Sequence, residues 1–130
     1  MPSGLPLPPL RYFTLKEFRH PERLEHEFLL WLDAIRHAAG VPFRLTSDAR
    51  TPEGNAALKG SSPTSWHLLG RAVDFVPRPW SPESLAAVTT AVIAQGRPFE
   101  LEFVAGPHDN HLHLALLPEG RASRVVLALD

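Results

Sequence analysis

Two short stretches of this chain hold side chains that could do chemistry together. One is Ser65-Trp66-His67-Leu68-Leu69-Gly70-Arg71-Ala72-Val73-Asp74, and the other is His111-Leu112-His113. Two imidazoles and one carboxylate are the ligands a catalytic zinc uses when it keeps a position open for water. The sequence has no cysteine, which excludes thiolate metal sites and disulfide frameworks. A metal here must sit on nitrogen and oxygen, a preference that suits zinc or a similar borderline ion. The chemistry implied is metal-assisted hydrolysis.

The elements that carry these residues decide whether they can meet. On a strand, side chains two positions apart share a face, so His111 and His113 point one way and Leu112, Leu114 and Leu116 the other. Taken alone, His-x-His also fits a strand edge that merely carries two histidines. His67 and Asp74 are seven positions apart, whereas a helix brings together residues three or four apart. They meet only if the chain folds back at Gly70, where Gly70 and Ala72 allow close approach. Asp74 lies among Val73, Phe75 and Val76, and a carboxylate in apolar sequence needs a cation or strong donors. Arg50 and Arg71 are the alternatives to a metal in that role.

The rest of the chain reads as a scaffold for those stretches. Thr14-Leu15-Lys16-Glu17 has capping-box spacing and predicts a short helical turn. Pro21 is placed to open a longer helix with the apolar stripe Leu24, Phe28, Trp31, Leu32, Ile35 and Ala39, stopped by Gly40. Val41, Phe43 and Leu45 alternate as a strand, and Thr46 to Thr64 reads as loop. Ala72, Asp74 and Val76 share one face of the next strand. Ser81-Pro82-Glu83 opens a second helix with Leu85, Val88, Val92 and Ile93 inward. Phe99 to Phe103, His111 to Leu117 and Arg124 to Leu129 are further strands, close enough to pair antiparallel. The expected class is α+β: an antiparallel sheet carrying the site, with helices packed against it.

At 130 residues the chain is sized for a single domain, expected over 12–130. Residues 1–11 read as an extended lead, broken by Pro2, Pro6, Pro8 and Pro9. That lead lacks the basic start and unbroken apolar stretch of a secretory signal, and no apolar run reaches membrane-spanning length. A net charge of -1 offers no basic field, which argues against nucleic acid as a partner. His20, His26 and His37 read as solvated histidines on or beside the first helix, and Trp31 as core.

The pattern Ser65-x-His67-x-x-Gly70-x-Ala72-x-Asp74, followed by His111-x-His113, resembles the zinc D-Ala-D-Ala carboxypeptidase and phage endolysin family of peptidoglycan peptidases. The wider group with lysostaphin-type and hedgehog-type domains is similar too. Phe13 to Phe18 resembles the family's opening segment, and Thr46 to Asn55 its serine-x-x-arginine-serine-proline loop. The resemblance implies that His67, Asp74 and His113 hold zinc. It implies that His111 lies beside the metal in an acid/base or stabilising role, and that Arg50 binds the substrate's carboxylate or polarises its carbonyl. Ser65 would support the site and bind substrate.

Many relatives place a Glu or Asp three residues before the last zinc histidine, as general base. Here that residue is Asn110, which leaves His111 first and Asp109 second as candidates for the proton. The implied protein is a monomeric zinc metallopeptidase acting on peptidoglycan stem peptides, either a D-Ala-D-Ala carboxypeptidase or an L-Ala-D-Glu endopeptidase. With no export signal evident, a phage-type lysin made in the cytoplasm and released onto the wall fits best. The alternative is a non-catalytic, zinc-stabilised wall-binding or structural module.

Overall fold

A computed structural model describes residues 10–48, 66–67, 69–107 and 109–129. The sequence alternates as a half-buried sheet requires, and among the described residues five strands form: β1 Phe43–Ser47, β2 Ala72–Pro77, β3 Phe99–Ala105, β4 His111–Leu116 and β5 Arg124–Leu129. Their order across the sheet is β1-β2-β4-β3-β5. β1 with β2, β2 with β4, and β4 with β3 pair antiparallel, while β5 runs parallel to β3. The sheet is therefore mixed, which corrects the expectation of a purely antiparallel one.

The reason lies in the link after β4. Both neighbours of β4 are already in place, and β5 joins at the free edge of β3. Residues 117–123 stay at one end of the sheet, held by Leu117 N–H to the Pro98 carbonyl (3.0 Å) and Phe99 N–H to Ser123 Oγ (3.0 Å). A chain that steps over β3 without crossing to the far end must then run beside it in the same direction.

Among the described residues, two helices cover one face, α1 His26–Ala39 and α2 Pro82–Ala94. Phe28, Leu29, Trp31, Leu32 and Ile35 of α1 are buried with Val88, Ala91 and Val92 of α2. They pack on the inward alternates of the strands: Phe43, Val73, Phe75, Phe99, Leu101, Leu112, Leu114 and Leu116. Ile93, expected inward, is 60% exposed; Ala91 takes the buried position instead. Gly40 caps α1 at a φ of 69°, and Ser81 Oγ caps α2 by accepting from Ser84 N–H at 3.1 Å.

Before α1 the chain departs from its local pattern. Pro21–Arg23 is a separate 3-10 turn, and Leu24 is extended, so the long helix starts at His26 rather than Pro21. A tertiary contact explains the break: Glu25 N–H donates to the Gly70 carbonyl at 2.9 Å, which a helix continuing through Glu25 would have claimed. Leu24 keeps its expected place in the core, fully buried. Upstream, Thr14 N–H donates to Glu17 Oε2 at 2.7 Å, one half of the expected capping box, while Glu17 N–H bonds to the Thr14 carbonyl instead of its hydroxyl. Buried Asp33 accepts the N–H groups of Arg11, Tyr12 and Phe13, which ties this leading segment to α1. Among the described residues, no helix is long and apolar enough to cross a membrane.

Candidate metal centre

The face of the sheet away from the helices is polar where β2, β4 and β3 lie side by side. Asp74 is opposite His113, and His113 is opposite Glu102. Directly opposed residues on one face have Cβ atoms about 5 Å apart, so register alone brings the second and third expected ligands together. His113 Nδ1 is 3.0 Å from Asp74 Oδ1.

The first ligand arrives from a turn. Arg71 N–H donates to the Trp66 carbonyl (3.1 Å) and Gly70 N–H to the His67 carbonyl (3.3 Å). With Gly70 at a φ of 70°, this is a Schellman closure, and it bends the chain sharply into β2. Only glycine fits there, because a Cβ would meet the Arg23 carbonyl oxygen at 2.1 Å. Beneath the turn, Trp66 packs on Ala72, Ala115 and Leu117. Arg71 fastens its end by donating to Leu116 O (2.9 Å) and pairing with Glu25 at 2.7 Å. Arg71 is thus engaged with Glu25 rather than serving as the counter-ion to Asp74.

His67 is almost fully buried, with Nε2 3.3 Å from Asp74 Oδ1. Ligand atoms of His67, Asp74 and His113 all lie within 4.8 Å of one another, so the group could hold a metal ion. The other nitrogen of His67, Nδ1, is 2.6 Å from the Asp48 carbonyl oxygen. A carbonyl can only accept, so Nδ1 donates to Asp48 and Nε2 is the nitrogen that faces Asp74. The donor set of nitrogen, oxygen and nitrogen suits zinc.

Charge follows the same logic in the metal-free protein. Burial alone would raise the Asp74 carboxyl, but hydrogen bonds from His113 and then His67 outweigh it and hold the group well below the usual carboxylate range. Burial would depress His113, yet hydrogen bonds to Asp74 and then Glu100 push it up to about 9. Glu100, whose Oε1 is 3.0 Å from His113 Nε2, is lowered chiefly by that hydrogen bond.

The two residues expected to handle the proton also meet. His111 Nδ1 is 3.0 Å from Asp109 Oδ2, so they form a pair beside the trio rather than competing singly. Asn110 does something else. Its Oδ1 accepts from Gly106 N–H at 3.1 Å and closes the β3–β4 connection. Arg50 and Ser65 lie outside the described residues. Two contacts were not foreseen from the sequence, that of Glu100 with His113 and the grip of Asp48 on His67. The polar alternates Glu100 and Glu102 on β3 were the available signal for the first, and nothing local signalled the second.

Compared with known protein families, residues 14–115 match Peptidase M15, a span that takes in every described member of the cluster. No curated protein matches the chain. On that match the chain belongs to the Peptidase M15 family, the zinc peptidases that include D-Ala-D-Ala carboxypeptidases and endolysins.

Proposed function

We propose that this protein is a zinc-dependent peptidase that hydrolyses peptide bonds in the stem peptides of bacterial peptidoglycan. The bond is of the D-Ala-D-Ala carboxypeptidase or L-Ala-D-Glu endopeptidase type. The observation that carries the reading is the convergence of His67, Asp74 and His113 within 4.8 Å on one polar sheet face. These three would hold the ion. Zinc, when bound in such a set, acidifies water toward neutrality and polarises a carbonyl.

The chain's own residues divide the remaining work. Asp109 lies against His111 Nδ1 at 3.0 Å, which leaves Nε2 of His111 as the nitrogen that takes and returns a proton. Arg50, a planar and permanently charged fork, fastens the substrate carboxylate or polarises its carbonyl. Ser65 supports the site and binds substrate. The protein acts as a monomer, with neither nucleic acid nor membrane as a partner. Its place of action is the cell wall, reached by phage-type release.

Purified protein incubated with peptidoglycan, with and without a chelator, tests this. New amino groups that appear with zinc and vanish with the chelator support it, and mass spectrometry of the released muropeptides identifies the bond. No new amino groups under zinc-replete conditions would overturn it.

One observation favours a second reading, a zinc-stabilised module that binds the wall without cutting it. Asn110 stands where relatives carry a carboxylate base, and its side chain is committed to Gly106. Stoichiometric zinc with wall binding and no turnover would select that reading.

A further inference from the structure

A second carboxylate belongs to this centre. Glu100 is on β3, two strands from Asp74, yet its Oε1 reaches the far side of the His113 ring at 3.0 Å from Nε2. The same ring meets Asp74 through Nδ1 at 3.0 Å. A ring clamped at both nitrogens has one orientation. Because the two nitrogens of an imidazole point apart, Glu100 cannot reach an ion on the Nδ1 side, and so is neither a ligand nor the base. What it can do is accept Nε2–H and fix which nitrogen faces the metal.

Glu100 is itself positioned. Its neighbour across the β3–β5 pair is Arg124, whose guanidinium is 3.4 Å from Glu100 Oε2. The oxygen facing away from His113 is thereby occupied, and the other is left for the ring. Glu100 also sits diagonal to His113, since the residue directly opposite the histidine is Glu102. Long side chains span such diagonals readily.

We propose that Glu100 is a positioning residue that orients His113 for metal binding through Nδ1, with Arg124 steadying Glu100 from the edge strand. The inference rests on the reading that His67, Asp74 and His113 hold zinc. Metal-ligating histidines that lose such a partner typically lose 10- to 100-fold in metal affinity.

The test compares zinc affinity, by competition with a chromophoric chelator, in the full-length wild type, Glu100→Ala, Glu100→Gln and His113→Ala. Glu100→Ala is expected to bind zinc 10- to 100-fold more weakly. Glu100→Gln, whose amide oxygen still accepts Nε2–H, should recover part of that loss. A purely structural role would not be rescued in this way. In the zinc-loaded wild type, nitrogen-15 NMR should show His113 protonated at Nε2, with a downfield proton that Glu100→Ala loses. If Glu100→Ala binds zinc within about twofold of wild type and keeps that proton signal, while His113→Ala loses zinc, the positioning role is wrong and the ligand set stands. If wild type and His113→Ala bind zinc equally, the ligand set itself fails, and this role with it.

Discussion

At the level of single residues, the centre is held together by histidine nitrogens with assigned duties. His67 has one nitrogen against the Asp48 carbonyl, His111 one against Asp109, and His113 is gripped on both sides. Replacing His111 by Ala should lower kcat by roughly 10²- to 10⁴-fold, the usual contribution of a positioned proton carrier. Bound zinc should stay near one per chain, which metal analysis beside the activity assay would check. The metal-free protein has its own pH signature. His113 is raised from 6.5 to about 9, so its contribution to stability is complete below 6.5 and disappears as pH climbs to about 9. Asp74 is lowered from 3.8, so its contribution is complete above that value and disappears as pH falls further. Chelator-treated protein should therefore melt highest between about pH 4 and 6.5 and lower by pH 9. A melting temperature that rises steadily from pH 6.5 to 9 would contradict this.

At the level of elements, the turn from Trp66 to Arg71 matters most. Gly70→Ala adds a Cβ 2.1 Å from the Arg23 carbonyl oxygen, at a backbone angle that L side chains resist. The strain should cost more than about 2 kcal/mol. Denaturant melts of metal-free protein should show it, and zinc affinity should fall alongside. Much of this level was legible in the chain. Alternation placed His111 and His113 opposite Leu112 and Leu114, and the distance between His67 and Asp74 required a fold-back at Gly70. Strand neighbours were not legible, because alternation assigns faces but carries no information about which edge accepts the next strand. The parallel placement of β5, and with it the reach of Arg124 to Glu100, therefore could not be anticipated. Pro21 misled for a related reason: its local preference for starting a helix is real, but Glu25 is held by Gly70 from across the fold.

Across the whole molecule, metal and fold are linked. The candidate ligands come from two strands and a separate turn, so an unfolded chain cannot present them together. Zinc in hundredfold excess over its dissociation constant should add about 2.7 kcal/mol of stability, roughly 10 °C in Tm for a chain of this size. Differential scanning fluorimetry with and without chelator would measure it, and an unchanged Tm would argue that the trio holds no ion. The absence of cysteine reached as far at this scale as sequence can, since it left only nitrogen and oxygen donors. The pairing of Asp109 with His111 lay beyond it, because neighbouring residues reveal a mutual contact only once the connection between β3 and β4 has closed.

The trio is also unevenly anchored. Asp74 and His113 lie on interior strands, each flanked by partners on both sides, whereas His67 sits on a single turn outside the ladder. Interior strands open only with the entire domain, but turns outside the sheet ladder open more often. An ion leaving this centre should therefore let go of His67 first. Its residence time would then track amide exchange at Leu69 and Gly70, decoupled from the rate at which the protein as a whole comes apart.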